Sequence, residues 1–176
     1  HHYRRIPSMR KTIVILTGLA MLAIVNWTIS QRENQIATGT VVRLELAPVD
    51  PRSLMQGDYM ALRFAVANEV MRATSEEGEA KNGRLVVKTD AQGIARYVRL
   101  DAGEPLAPGE VLLRYRMRER AVKFATNAWF FQEGHAKMYE TARYGEFRVT
   151  PSGEMLLVAM LGKEQEKLGP PPPVSP

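Results

Sequence analysis

The chain has 176 residues and a formal charge of +5, which is enough length for one domain with a hydrophobic core and additional terminal segments. It contains no cysteine, and this excludes disulfides, thiolate catalysis and cysteine-based metal sites. Only one histidine, His135, lies outside the first two positions, so we expect neither a histidine-based metal site nor a Ser-His-Asp triad. We therefore predict no bound metal and no cofactor.

The positive charge of the chain is concentrated near its beginning. The first eleven residues carry every charge that precedes residue 32: Arg4, Arg5, Arg10 and Lys11. The rest of the chain is close to neutral, so its composition does not indicate nucleic-acid binding. We interpret residues 1–11 as a cytoplasmic N-terminus, in which the two leading histidines are tag or upstream residues and Met9 is the natural start.

The segment from Thr12 to Ser30 carries no charge and predicts a transmembrane helix. At ~1.5 Å per residue it spans about 29 Å, which matches a hydrocarbon core of ~30 Å. Basic residues precede it and Trp27 lies near its far end, so we expect the N-terminus in the cytoplasm and an interfacial aromatic on the other side. A cleaved signal peptide is the alternative, but no good cleavage site follows the apolar run. We predict a retained anchor in a bacterial inner membrane, with the following domain in the periplasm.

Residues 31–39 are predicted as a linker, and from residue 40 apolar and polar residues alternate. The strand predicted over residues 40–46 has an apolar face made of Val42, Leu44 and Leu46. The strand predicted over residues 58–66 has an apolar face made of Met60, Leu62, Phe64 and Val66. A period of two is typical of half-buried β-strands, and the Pro- and Gly-containing segment between these two predicts a loop.

The later segments continue the β pattern. Residues 68–83 predict a short helix followed by a charged loop, and residues 84–100 predict a hairpin around an Asp-Ala-Gln-Gly turn. Further β-prone segments cover residues 111–119 and 121–131, and residues 134–145 predict a helical turn or two. The final hairpin ends in residues 155–161, which are apolar on both faces and are therefore predicted as a central strand.

About eight short strands joined by Gly and Pro turns predict an antiparallel β-barrel or sandwich over residues 40–162. A closed or nearly closed form is favoured because it leaves few exposed strand edges. Residues 163–176 end in a proline-rich run and predict an extended polyproline tail.

One enzymatic hypothesis comes from the segment that ends in Gly57 and Asp58. It resembles in part the motif of anchored signal peptidases, Ser-Met-x-Pro-Thr-Leu-x-x-Gly-Asp, and Leu54 also fits. The nucleophilic serine would stand at Val49, which has no nucleophile. Ser53 stands where that family has threonine and is the remaining candidate.

A diverged serine–lysine hydrolase would need Lys88 or Lys123 as the general base for Ser53. Such a lysine must be desolvated and within hydrogen-bonding distance of the serine. Lys88 lies beside a turn and Lys123 has charged neighbours in sequence, so neither is expected to be buried. We predict no catalytic residue and keep this hydrolase as the enzymatic alternative.

Asp50 and Asp58 flank one loop, which also contains Arg52, and the two carboxylates could converge. Aspartate commonly caps backbone N–H groups in turns, and we favour that role over acid–base chemistry or cation binding. A polar pocket beside these residues would instead indicate a periplasmic ligand-binding or sensor module, which is a third hypothesis.

Two surfaces are candidates for interaction. Arg114, Arg116 and Arg118 form a basic stripe on one strand face, suited to lipid phosphates, to an acidic partner or simply to solvent. In the aromatic run 129–131, neighbouring side chains point to opposite faces. We expect Trp129 and Phe131 to meet the membrane, a partner or a covering segment at residues 134–145.

The run Gly57-Asp58-Tyr59-Met60-Ala61-Leu62-Arg63-Phe64 resembles the motif of the GDYXXLXY family. Gly57, Asp58, Tyr59 and Leu62 match, whereas Phe64 stands where the family name has tyrosine. The layout of an anchor followed by a β domain and the final hairpin are similar too, so the resemblance covers most of residues 12–161. It implies a membrane-anchored protein without an established activity, which works with an integral membrane protein.

Together these patterns predict a non-enzymatic accessory or scaffolding subunit of an inner-membrane assembly, in contact with membrane lipids and not with nucleic acid. In the motif itself we expect Gly57 to permit a turn and Asp58 to cap it. Leu62 and Phe64 should point into the core, leaving Tyr59 and Arg63 on the opposite face as candidate interaction residues.

Overall fold

A computed structural model describes residues 8–48, 50–76 and 82–171 of the chain. Within them the predicted fold class is confirmed: the protein is mainly β, with antiparallel sheets that form a half-barrel, and has one long apolar helix near the N-terminus. The chain divides into two compact units between Ala37 and Thr38. The predictions for residues 1–7 and for the last five residues of the proline-rich tail lie outside the described residues.

The first unit is formed by helix α1, Ser8–Thr38. It contains the predicted anchor, Thr12 to Ser30, and continues as a helix through most of the segment predicted as a linker. The hydroxyl groups of Thr17 and Thr28 donate hydrogen bonds to the backbone four residues earlier, so these polar groups are satisfied within the helix. By length and composition, the stretch Met9–Thr38 could cross a membrane.

The second unit contains ten strands and a helix within its described residues. In chain order these are β1 (Thr40–Glu45), β2 (Met55–Gln56), β3 (Tyr59–Ala61), α2 (Val66–Glu76), β4 (Gly83–Thr89), β5 (Ala95–Leu100), β6 (Glu110–Arg118), β7 (Ala121–Lys123), β8 (Ala128–Phe130), β9 (Tyr144–Val149) and β10 (Met155–Leu161). Two 3₁₀-helices, Pro51–Leu54 and Ala136–Tyr139, complete it.

Three antiparallel sheets have the strand orders β1-β9-β10, β2-β3-β8 and β5-β4-β6-β7. Backbone hydrogen bonds join the two larger sheets at two places. The Arg43 N–H donates to the Gly93 carbonyl at 2.8 Å, which links β1 to the β4–β5 turn. The Arg114 N–H donates to the Gly153 carbonyl at 2.9 Å, which links β6 to the β9–β10 turn. These contacts join parts of the two larger sheets into a half-barrel, which is more open than the closed or nearly closed form that the sequence favoured.

The core is formed by the predicted inward faces. Val42, Leu44 and Leu46 of the first face are buried, and so are all four residues of the second: Met60, Leu62, Phe64 and Val66. The Phe64 ring lies edge-on to Phe124 and Phe147, with ring centroids 5.9 and 5.4 Å away. Apolar burial of this kind is the main contribution to the stability of the domain.

Two sequence predictions were wrong in detail. The strand predicted over residues 58–66 ends at Ala61, and Val66 begins α2, because its buried side chain also starts the helical spacing that continues at Val70. Strand β10 lies at the edge of its sheet and not in the centre. A later segment pairs with that edge: the Leu168 N–H donates to the Met160 carbonyl at 2.9 Å.

Candidate functional site

The family-like motif forms the hairpin between β2 and β3. Gln56 pairs with Tyr59 in register, so Gly57 and Asp58 are the two residues of the turn. Gly57 has φ = +63°, and a positive φ at the first turn position is the pattern of type II′ hairpins, which favour glycine there. Asp58 contributes through its carbonyl, which accepts from the Phe131 N–H at 3.0 Å, while its side chain is exposed. The predicted role of Gly57 is thus confirmed.

The preceding loop is organised by Asp50. Its Oδ1 atom accepts from the Arg52 N–H at 3.0 Å, and its carbonyl accepts from the Ser53 hydroxyl at 2.7 Å. Asp50 therefore caps the 3₁₀-helix, as predicted. The Arg52 side chain pairs with Glu140 at 3.4 Å. Within the described chain, the partner of the Ser53 hydroxyl is this carbonyl and not a lysine.

The aromatic run 129–131 is divided between two faces by its pairing with β3. Trp129 and Phe131 lie against Tyr139, with ring centroids 6.0 and 5.3 Å away, so of the alternatives that the sequence left open the structure shows the covering segment at residues 134–145. Phe130 faces outward, is 71% exposed, and lies 5.7 Å from the Tyr59 ring. The outward aromatic surface is therefore formed by the exposed Phe130 and the half-buried Tyr59, which we call the aromatic patch.

The expectation that Trp129 and Phe131 form an outer surface was wrong, because Phe130 is the residue of this run that faces outward. Sequence alternation shows that neighbours point to opposite faces, but it does not show which face is inside. The register Met60↔Trp129 decides this, because Met60 is fully buried.

The predicted arginine stripe lies on the exposed face of β6, as its alternation indicated. Its charge is partly offset by carboxylates. Arg114 pairs with Glu154, and Arg84 on the neighbouring strand pairs with Asp101 at 2.9 Å. A groove of about 480 Å³ runs beside these residues and also contacts Arg116. Arg118 lies at the end of the strand, next to the turn into β7.

A second cavity, of about 500 Å³, has a different electrostatic character. Its lining includes the cations Arg63, Arg120 and Lys123 and the apolar side chains Leu62, Met71 and Val122, and we call it the basic pocket. No acidic side chain lines it within the described part of the chain. Arg63 was a candidate interaction residue from the sequence, whereas Lys123 was considered only as a general base for Ser53 and Arg120 was not a candidate.

An ion pair with a structural role lies at the base of the loop between β5 and β6. The Arg99 guanidinium donates to both carboxylate oxygens of Glu110, at 2.9 and 3.1 Å, and the Ala107 N–H donates to one of them at 3.0 Å. The hydrogen bond from Arg99 lowers the pKa of Glu110, and the backbone N–H lowers it further. The same hydrogen bond raises the pKa of Arg99. This pair orders the loop.

The described residues contain no group of three or more His, Cys, Asp or Glu side chains placed to hold a metal ion. The geometry of the described chain therefore offers surfaces and a pocket, and no metal centre.

A comparison with protein families shows to which family the chain belongs. The sequence profile of the GDYXXLXY protein family matches residues 21–160. The chain belongs to the GDYXXLXY family. Comparison with curated proteins and with solved structures finds no match. In this GDYXXLXY protein the motif supplies a turn at Gly57, an outward aromatic at Tyr59, and core residues at Leu62 and Phe64.

Proposed function

We propose that this GDYXXLXY protein is a non-enzymatic accessory or scaffolding subunit of a bacterial inner-membrane assembly. In this proposal α1 is a single-span anchor, its basic start lies in the cytoplasm, and the β unit lies in the periplasm. The aromatic patch on the motif hairpin is the observation that carries the proposal. It offers an outward apolar surface that the core of the domain does not use.

The helix supports the anchoring part of the proposal. Large apolar side chains are exposed around α1, including Leu16, Leu22 and Trp27. A helix that is apolar on all sides is stable when it is surrounded by lipid or by other apolar helices. Basic residues at the start of the span favour an N-terminus on the cytoplasmic side.

The aromatic patch supports the docking part of the proposal. Burying an exposed phenylalanine contributes about 1.5–3 kcal/mol, and aromatic side chains are frequent anchors of protein interfaces. Tyr59 is held in place because its hydroxyl donates to the Gln56 Oε1 atom at 2.5 Å. This hydrogen bond restricts the Tyr59 ring, which reduces the entropy that the ring loses on binding. We propose an apolar surface of an integral membrane protein as its partner.

The geometry around Ser53 does not favour the serine–lysine hydrolase. Its hydroxyl donates to a backbone carbonyl, and that role is structural. The ligand-binding alternative is favoured by one specific observation, the basic pocket, which lies at Arg63 rather than beside Asp50.

Co-purification tests the docking proposal. The tagged full chain is extracted from native membranes with mild detergent, and its partners are identified by mass spectrometry. We expect the variant Phe130→Ser to reduce partner recovery at least fivefold while the β unit remains folded by circular dichroism. The matched control Met138→Ser, at a residue that is 42% exposed outside the patch, should leave recovery unchanged. Recovery of the wild-type chain only as a lone monomer would overturn the proposal.

The orientation is testable because the chain contains no cysteine. A single cysteine in place of the exposed Thr141 should react with a membrane-impermeant maleimide in spheroplasts. A cysteine in place of Ser8 should react only after the membrane is permeabilised. The reverse pattern would contradict the proposed topology.

A further inference from the structure

We propose that the basic pocket binds a phosphorylated anion whose phosphate carries an apolar group. The phosphate would contact Arg63, Arg120 and Lys123, and the apolar group would lie on Leu62, Met71 and Val122. This inference goes beyond the accessory role and does not depend on the aromatic patch.

The charge distribution is the first argument. Several other arginines of the β unit are paired with carboxylates, including Arg43 with Glu146 at 3.0 Å and Arg84 with Asp101 at 2.9 Å. In the described part of the chain, the three cations of the basic pocket have no such partner. Cations grouped without a counter-charge repel one another, and a bound anion would remove this repulsion. Guanidinium groups match a phosphate particularly well because they donate two parallel hydrogen bonds.

The backbone that carries the pocket is fixed by hydrogen bonds. The Ala47 N–H donates to the Arg63 carbonyl at 2.8 Å, and the Leu62 N–H donates to the Asn127 carbonyl at 2.6 Å. The Asn127 side chain donates to the Leu62 carbonyl at 3.2 Å, which ties the strand after the motif to the segment after β7. The cations are thus presented by ordered segments, and ordering them on binding loses less entropy.

The turn between β6 and β7 is the second argument. Arg118 pairs with Ala121, so Glu119 and Arg120 are the two turn residues, and their φ angles are 51° and 59°. Positive φ angles at both turn residues are the pattern of a type I′ turn, which normally contains Asn-Gly, Asp-Gly or Gly-Gly. An arginine is unfavourable for folding at such a position, and strained residues of this kind occur where a side chain serves a function. Arg120 also lines the basic pocket, and anion binding there would be that function.

The size and mixed lining of the pocket define the ligand class. A volume of about 500 Å³ is in the usual range for small-molecule sites. A phosphate alone would leave the apolar lining unused. An alkyl phosphate or a phospholipid headgroup with the first part of its chains would use both parts of the surface.

Calorimetry on the full chain in maltoside micelles tests the proposal, with inorganic phosphate and butyl phosphate as probes in phosphate-free buffer. We expect butyl phosphate to bind more tightly than inorganic phosphate. The variant R120Q should weaken its binding at least about tenfold, because one charge-assisted contact is lost. The triple variant R63Q/R120Q/K123Q should abolish it. The control K88Q/K137Q/K163Q removes the same number of positive charges from exposed positions outside the pocket and should bind like the wild type.

Native mass spectrometry of the same micelles distinguishes the two sources of phosphate. Retention of added phosphatidylglycerol by the wild type, but not by the triple variant, identifies a lipid headgroup. Competition by butyl phosphate without lipid retention identifies a soluble phosphate compound. The proposal is overturned if neither probe binds, or if the triple variant binds like the wild type. Folding of each variant is verified by circular dichroism. The triple variant should still co-purify with the partner of the wild type, because the basic pocket does not include the aromatic patch. A loss of anion binding is then distinguishable from a loss of docking.

Discussion

The two-residue turn between β6 and β7 allows a quantitative test of the strain at Arg120. In the left-handed region, a residue with a side chain costs about 1–2 kcal/mol more than glycine. Replacement by glycine also raises the entropy of the unfolded chain, which costs about 0.4–1 kcal/mol. The difference predicts that Arg120→Gly raises the free energy of unfolding by about 0.5–1 kcal/mol. For a domain of this size the melting temperature should rise by about 2–4 °C.

Thermal unfolding of the full chain in micelles, followed by circular dichroism, measures this effect. The matched control is Arg118→Gly, which lies at the end of β6 outside the left-handed region. Glycine weakens a strand, so this control should lower the free energy of unfolding by about 0.5–1 kcal/mol. The two substitutions remove the same side chain from positions two residues apart, and they should act in opposite directions.

A fall in melting temperature for Arg120→Gly as large as that for Arg118→Gly would refute the reasoning. It would mean that the Arg120 side chain stabilises the fold by more than its backbone strain, and that the strain needs no functional explanation. The expected result is instead a more stable protein that binds butyl phosphate less well. An opposition between stability and binding is typical of residues kept for function.

Four other substitutions test the packing and electrostatics. Gly153→Ala should lower the free energy of unfolding by about 2–3 kcal/mol and Gly57→Ala by about 1 kcal/mol in denaturant titrations. Both glycines have a positive φ, but only at Gly153 would a Cβ atom meet backbone, 3.2 Å from a nitrogen of β6. Phe64→Ala should cost about 3–5 kcal/mol because the ring is buried among two others. Arg99 lowers the pKa of Glu110, so the ion pair stabilises the fold fully above the pKa of an unperturbed glutamate. This contribution is lost as the pH falls through the lowered pKa, and Glu110→Gln should remove that part of the acid dependence.

Each of these predictions has a contradicting outcome. Equal losses for the two glycine variants would mean that the β9–β10 turn does not press against β6. A loss for Phe130→Ala as large as that for Phe64→Ala would contradict the inward and outward assignment of the two rings. Unchanged acid dependence after Glu110→Gln would show that the pair with Arg99 does not contribute to stability.

The elements that the sequence predicted well are those whose pattern is local. The alternation in β1 and β6 and the turn signals of the β4–β5 and β9–β10 hairpins depend on neighbours along the chain. The boundary between β3 and α2 was not predicted because Val66 satisfies a period of two and a helical spacing at the same time. Which face of β8 is buried depends on its pairing with β3, and that information is not local.

The basic pocket could be predicted only in part, for a similar reason. Arg63 was identified because it lies within the motif. Arg120 and Lys123 reach the same cavity through the β6–β7 hairpin, more than fifty residues later in the chain. The two-residue turn itself gave no sequence signal, since Glu119 and Arg120 replace the asparagine and glycine that normally mark it.

The two proposed surfaces differ in which of their residues belong to the motif that names the family. Its fixed positions provide the turn at Gly57, the outward ring of Tyr59 and the buried positions of Leu62 and Phe64. Arg63 occupies a variable position of the motif. Tyr59 of the aromatic patch is a residue that defines the family, whereas Phe130 of the patch lies outside the motif, as do Arg120 and Lys123 of the basic pocket.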